Sequence, residues 1–212
     1  MAAIASKKND LLCFQEFPKS RIPSVMQLFP DYSFQYSGGM ERKGETFGQL
    51  TVFKKKLLNC VSSTSLFLGD SRVENIMMRT KSIKNALITV FEMHGLKFIV
   101  ANIHLSCLTL NSRRRRQLMQ LIEEINKIAA EVQIPVIIMG DYNYTSLFMQ
   151  EFLFQFMQKY NFTNAFRETT HRLGFLKQQL DYVFCRNCRV SNYEVIKNYF
   201  SDHFPIQFVY SI

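Results

Sequence analysis

A chain of 212 residues, 47% of them hydrophobic and with no low-complexity tract, can bury one sizeable core, which excludes a disordered or fibrous protein and favours a single domain over 1–212. The formal net charge of +9 favours polyanionic partners such as nucleic acid, anionic lipid or phosphorylated substrates. Five scattered cysteines argue against a disulfide framework, no run reaches the ~20 apolar residues of a membrane span, and the opening MAAIASKKND is no signal peptide, so an intracellular (cytoplasmic or nuclear) monomer without stable membrane insertion is expected.

In chain order, Leu11-Leu12-Cys13-Phe14 is a short apolar run that ends at Gln15-Glu16 and reads as a buried strand with a carboxylate at its edge. Phe47 to Phe53 and Asn85 to Met93 are rich in Val, Ile, Thr and Phe and read as strands. His94-Gly95 suits a hairpin turn into a strand from Leu96 to His104. Apolar residues at 118, 121, 122, 125, 128, 129 and 132 form one helical stripe, with Asn111 or Ser112 as the expected N-cap. Arg113 to Arg116 then fall in the first helical turn, where cations oppose the helix dipole, so they are either solvated or meet a phosphate-bearing ligand. Pro135 to Met139 reads as a fully buried strand leading into Gly140-Asp141-Tyr142-Asn143. Ser146 can cap a Phe-rich helix from Leu147 to about Tyr160. Gln179 to Cys185 and Pro205 to Tyr210 supply the last strands. Cys185-Arg186-Asn187-Cys188 has CxxC spacing, but no second Cys/His pair completes a zinc site. Mixed hairpins and crossovers predict a layered α/β protein.

Polar residues recur at the ends of these strands: Glu16, His104, Asp141 with Asn143, and Asp202 with His203, while Asp181 sits within QLDYVF. Each alone has a plain explanation: a loop Glu, a core His, a turn at GDYN, an Asp paired with a surface Arg. Gathered on one rim, so many carboxylates and imidazoles are costly unless they hold something. A divalent cation with hard oxygen ligands such as Glu16 and Asp202 resolves that cost.

The motifs LLCFQE, ANIHL, GDYN, LDYVF and SDHFPI, in this order from residue 11 to residue 206, resemble the endonuclease/exonuclease/phosphatase superfamily with its DNase I-like fold. FGQLTVFKK and the Arg-Arg-Arg-Gln helix start resemble the family's connecting segments. The resemblance implies a four-layer α/β sandwich of two mixed, mainly antiparallel sheets flanked by helices, and hydrolysis of phosphoester bonds dependent on Mg²⁺ or Mn²⁺. By motif, Glu16 resembles the metal-binding Glu and Asp202 an acidic residue at the metal site. Asp141 resembles the Asp that activates water, Asn143 the amide that holds phosphate, and His104 the His near the leaving oxygen. His203 resembles the catalytic His and Asp181 its partner. An Asp–His⁺ pair at ~4 Å and an effective dielectric of ~20 gains about 4 kcal/mol, enough to keep His203 protonated and leave Asp141 as the base.

By the same resemblance, the family's opening strand, which ends in an Asn, is expected to be missing from this sequence: Met1 stands fifteen residues before Glu16, and Asn9 does not match that position. Three functions follow from the residues and the resemblance together. The first is a nuclease on DNA or RNA, favoured by the charge, Lys54-Lys55-Lys56 and Arg113 to Arg116. The second is a phosphodiesterase or phosphatase of phospholipid, sphingomyelin or inositol phosphate. The third is a catalytically impaired family member that binds polyanions.

Overall fold

The computed structural model describes residues 9–70, 72–129, 133–197 and 201–211. The stripe residue Val132 lies outside these. Thirteen strands and four α-helices make up the described fold: β1 Leu11–Pro18, α1 Ile22–Leu28, β2 Tyr32–Arg42, β3 Glu45–Lys54, β4 Asn59–Asp70, α2 Arg72–Met78, β5 Lys81–Met93, β6 Leu96–His104, α3 Asn111–Ile128, β7 Val136–Asp141, α4 Leu147–Gln158, β8 Thr163–Asn164, β9 His171–Leu173, β10 Leu176–Gln178, β11 Asp181–Arg186, β12 Arg189–Val195 and β13 Ile206–Ser211.

A hydrogen-bonded path runs β1-β3-β2-β5-β6-β7-β11-β8, with β4 on the far edge of β5. β5 turns the path into two sheets: Ser82 and Lys81 pair with β2, whereas Ile83 to Glu92 pair with β4. β6 and β7 are parallel, as a crossover through α3 requires, and the other ladders are antiparallel. β12 and β13 form a separate hairpin.

Alternation along the central strands assigns their faces. Ile88 and Val90, Ile99 and Ile103, Val136 and Ile138, and Tyr182 and Phe184 point into one core with Leu118, Leu121 and Ile125 of α3 and Leu153 and Met157 of α4. Phe91, Phe98 and Val100 face the other way, against Phe53 of β3 and Leu11 of β1. Ile137, Val183 and Cys185 face Ile206 and Phe208 of β13. Leu50 and Val52 of β3 pack under Ile22 and Val25 of α1. The order helices, sheet, sheet, helix is the expected four-layer sandwich, with sheet as its main content.

Several local expectations shift. Ser146 does cap α4, its Oγ accepting from Met149 N at 3.2 Å, but the helix ends at Gln158. Neither Asn111 nor Ser112 caps α3: Leu110 holds the N-cap position, and the Asn111 side chain accepts instead from the Arg114 guanidinium at 3.0 Å. Arg114 is buried, donating to the Ser106 carbonyl at 2.8 Å and to the Cys107 carbonyl, so it braces the 105–110 loop and is not available to a phosphate. Arg113 lies 3.6 Å from Asp70, while Arg115 and Arg116 are exposed. The hairpin at His94-Gly95 is as expected, both residues having positive φ. Cys185 packs in a core and Cys188 donates weakly to the Val136 carbonyl, which makes the CxxC a packing feature.

Candidate active site

Three expected residues share one cross-strand row. His104 closes β6 and is the register partner of Asp141 at the end of β7, which is in turn the partner of Asp181 at the start of antiparallel β11. Gly140 lets this row form. Its φ is 139°, and a Cβ there would lie 2.0 Å from the Ile103 carbonyl oxygen, so no other residue permits that approach of β6 to β7.

Asp141 is fixed by the two residues that follow. Its Oδ1 accepts from Asn143 N at 2.9 Å and its Oδ2 from Asn143 Nδ2 at 3.0 Å. Asn143 adopts φ 56°, a left-handed conformation that Asn tolerates, and its Nδ2 also donates to the Leu105 carbonyl at 3.0 Å. Both amide hydrogens are therefore engaged. In this arrangement Asn143 positions Asp141, and a phosphate contact from it requires one of these bonds to be exchanged.

His203 Nδ1 lies 2.8 Å from Asp181 Oδ2, and its Nε2 lies 4.0 Å from Asp141 Oδ2. Burial works against the imidazolium, but the hydrogen bond and charge of Asp181, with Asp141 and Asp202 behind it, outweigh burial and raise the His203 pKa to about 9. Burial and the neighbouring Asp181 push Asp141 up to about 7. His104 goes the opposite way: burial, then the charges of Lys84 and His203, hold it well below the ordinary histidine range. It is a neutral imidazole at 3.5 Å from Asp141 Oδ2 and 3.6 Å from Glu16 Oε1, so these contacts are not ion pairs.

Glu16 arrives by a different route. β1 and β3 slip register between Phe14 and Phe17, and Glu16 sits in that bulge at φ 48°, strained by ~1 kcal/mol or more for a residue of its type. Asn102, fully buried on β6, holds the bulge: its Nδ2 donates to the Phe14 and Leu50 carbonyls at 3.1 and 3.2 Å, and its Oδ1 accepts from Gln15 Nε2 at 2.6 Å. Asp202 pairs with a residue that the sequence reading missed. His171 of β9 is buried, its Nε2 lies 3.6 Å from Asp202 Oδ2, and its ring meets that of His203 edge-on at 4.8 Å. Thr170 joins the same clamp: its Oγ1 accepts from Asp181 N at 3.0 Å and its carbonyl from Phe204 N at 2.6 Å. The Asn in ANIHL was a legible signal for Asn102. THRLGF carried none for His171, because β9 is three residues long and lacks alternation.

All seven expected residues thus join one string, Glu16–His104–Asp141–Asn143 and Asp141–His203–Asp181, with Asp202 attached through His171. The two residues expected at a metal are not bonded to each other; each lies beside a different imidazole. Glu16 fits a hydrated cation well. Its side chain is 56% exposed and borders a recess that Gln49, Lys84 and Asn85 also line. Gln49 Oε1 and Asn85 Oδ1 are buried acceptors without a partner among the described residues, and a cation's water ligands would satisfy them. His171, Asp202 and His203 also bring ligand atoms within 4.8 Å of one another, but His203 Nδ1 is already committed to Asp181.

A carboxylate near neutrality beside a charged imidazole, both at the rim of a two-sheet sandwich, is the equipment of a hydrolytic α/β protein. The description "Endonuclease/Exonuclease/phosphatase family" matches residues 1–203, and the chain belongs to that family. Among solved structures it is similar to a mannosyl-6-phosphatase of Bacteroides thetaiotaomicron at 15% identity and a TM-score of 0.80, covering 100% of this chain and 88% of that one. It is also similar to the human Nocturnin catalytic domain (21% identity, TM-score 0.73, covering 98% and 84%) and to D. rerio TDP2 complexed with a single-strand DNA product (15%, 0.76, covering 100% and 89%). Identities at this level show the shared fold. No curated protein sequence matches the chain.

Proposed function

We propose that this chain is a phosphoester hydrolase that works with Mg²⁺ or Mn²⁺. The observation that carries the reading is the array Asp181–His203–Asp141, in which one carboxylate holds an imidazole protonated while another is left near neutrality as a base. Water bound against Asp141 Oδ2 gives up a proton to it as the oxygen attacks phosphorus. The P–O ester bond opposite breaks, and charge gathers on the phosphoryl oxygens. His203, protonated, donates to those oxygens. His104, neutral, can donate one N–H toward the departing oxygen. A cation held by Glu16, with Asp202 as second carboxylate, would stabilise the same charge when bound.

The net charge of +9 favours a polyanionic substrate, and nucleic acid and anionic lipid headgroups are the two that fit. The purified chain should be assayed with Mg²⁺ and Mn²⁺ on plasmid DNA, an abasic duplex, RNA, sphingomyelin and an inositol phosphate, with Asp141→Ala as control. Turnover that a chelator abolishes and Asp141→Ala loses supports the reading. Turnover on none of these, or turnover that survives Asp141→Ala, overturns it and leaves a binding module. A steep loss of rate on DNA between ~50 and ~200 mM salt marks a nuclease, and a salt-flat rate on DNA with strong headgroup cleavage marks the lipid enzyme.

A further inference from the structure

Large apolar side chains stand exposed, among the described residues, on segments that adjoin the site in the chain or are bonded to ones that do. They come from four segments: Ile76 and Met77 on α2, Leu110 before α3, Leu147 and Phe148 at the start of α4, and Phe175 at the β9–β10 turn. These six are between 68% and 93% exposed.

The segments are tied to one another around the catalytic residues. Buried Glu74 of α2 accepts from the N–H groups of Cys107 and Leu108, which joins α2 to the loop that follows His104. Arg114 braces the same loop and lies over the Tyr144 ring at 5.6 Å, which joins it to the segment after Asp141. Gln178 Nε2 of β10 donates to the Thr145 carbonyl at 3.0 Å, which joins that segment to the β9–β10 hairpin. The hairpin bridges to His203 through His171. Each tip therefore extends from a segment that directly follows, or is bonded to one that follows, a residue of the site.

Cations are interleaved with these tips. Arg115 and Arg116 follow Leu110 at the exposed start of α3, and Arg172 and Lys177 flank Phe175 on the hairpin, all four exposed. Isolated exposed apolar residues are ordinary on a protein surface, but a set gathered on connected loops with basic neighbours has the chemistry of a peripheral membrane contact: rings and aliphatic chains enter the headgroup layer while Arg and Lys meet anionic lipid. Among the described residues no helix is long and apolar enough to cross a membrane, so the contact would be shallow.

We infer that the rim of the catalytic mouth is a docking surface for an anionic lipid bilayer, set so that the site faces the headgroup layer. Docking needs no turnover, so its test is independent of the hydrolase reading. Sedimentation with vesicles of phosphatidylcholine alone, and with about one-third phosphatidylserine, measures it. The expected result is binding to the anionic vesicles that weakens as salt rises. Phe148→Asp with Phe175→Asp should lower it ~10-fold or more, and Arg115→Glu with Arg116→Glu by a similar factor. Leu96→Asp is the control. Leu96 is also exposed, but it lies at the opposite end of β6 from His104, eight positions or ~26 Å away, and its replacement should change nothing. All of these positions are on the surface, and unchanged thermal melting shows each variant folded. The inference is overturned if the native chain does not sediment with anionic vesicles. It is also overturned if the rim variants bind as well as Leu96→Asp, or if the rim variants instead abolish self-association of a chain that ignores lipid.

Discussion

The two halves of the site are built on opposite plans. On the β7–β11 side, Asp141, Asn143, Asp181 and His203 are buried or half-buried, and their hydrogen bonds run to one another, to the Leu105 carbonyl and to Thr170 Oγ1. On the β1 side, Glu16 stands in a bulge with a left-handed backbone and an exposed carboxylate, held in place through its neighbour by Asn102. The first half is pre-organised, as groups that must move a proton require. The second is open and strained, as a group that must admit and release a hydrated cation can be.

The sharpest way to break this contrast is at His203. His203→Ala should cost ~10³-fold or more in rate while leaving Mg²⁺ affinity largely unchanged, because it removes only the pre-organised half. A rate within ~10-fold of the native chain at saturating Mg²⁺ would remove His203 from the mechanism.

Asp181→Asn comes next, with a loss of ~10²–10⁴-fold and a change in pH profile. In the native chain the rate should rise as Asp141 ionises through about 7 and fall as His203 loses its proton through about 9. Without Asp181 the alkaline limb should retreat toward the ordinary histidine value of ~6.5. An alkaline limb that stays in place would show that another group sets it.

Asn102→Ala tests the open half. It should raise the Mg²⁺ concentration needed for half-maximal rate ~10–100-fold while kcat at saturation changes little. Equal loss at all metal concentrations would place Asn102 in general folding and not behind Glu16.

Stability should follow pH with a definite sign. His203 and Asp141 both have folded pKa values above their ordinary ones, so each contributes stability at low pH that is lost as pH rises through its folded value. The Tm should therefore fall from about pH 4 to about pH 9, first with Asp141 and then with His203, and Asp181→Asn should flatten the upper part of that fall. The smallest effect belongs to Glu16→Asn, which keeps a left-handed backbone at lower strain and should gain ~0.5–1 kcal/mol by urea unfolding while weakening metal binding.

Sequence by itself pointed to several of the central strands and to seven polar residues that the fold brings near one another. Apolar runs rich in Val, Ile and Phe mark β5, β6, β7 and β11, and polar groups stand at the end of β6 (His104), the end of β7 (Asp141) and the start of β11 (Asp181). It did not reveal β4, an edge strand dominated by Ser and Thr, or β2, whose alternating Tyr32, Phe34 and Tyr36 give way to Gly38-Gly39 and a charged end. Tertiary structure alone decided how Arg114 turns inward to brace a loop, how Asn102 holds the bulge under Glu16, and how His171 clamps His203. Each of these is a contact between a polar side chain and a backbone group or ring brought close by packing. Alternation records which face of a strand is buried, but not which distant group a buried polar atom meets.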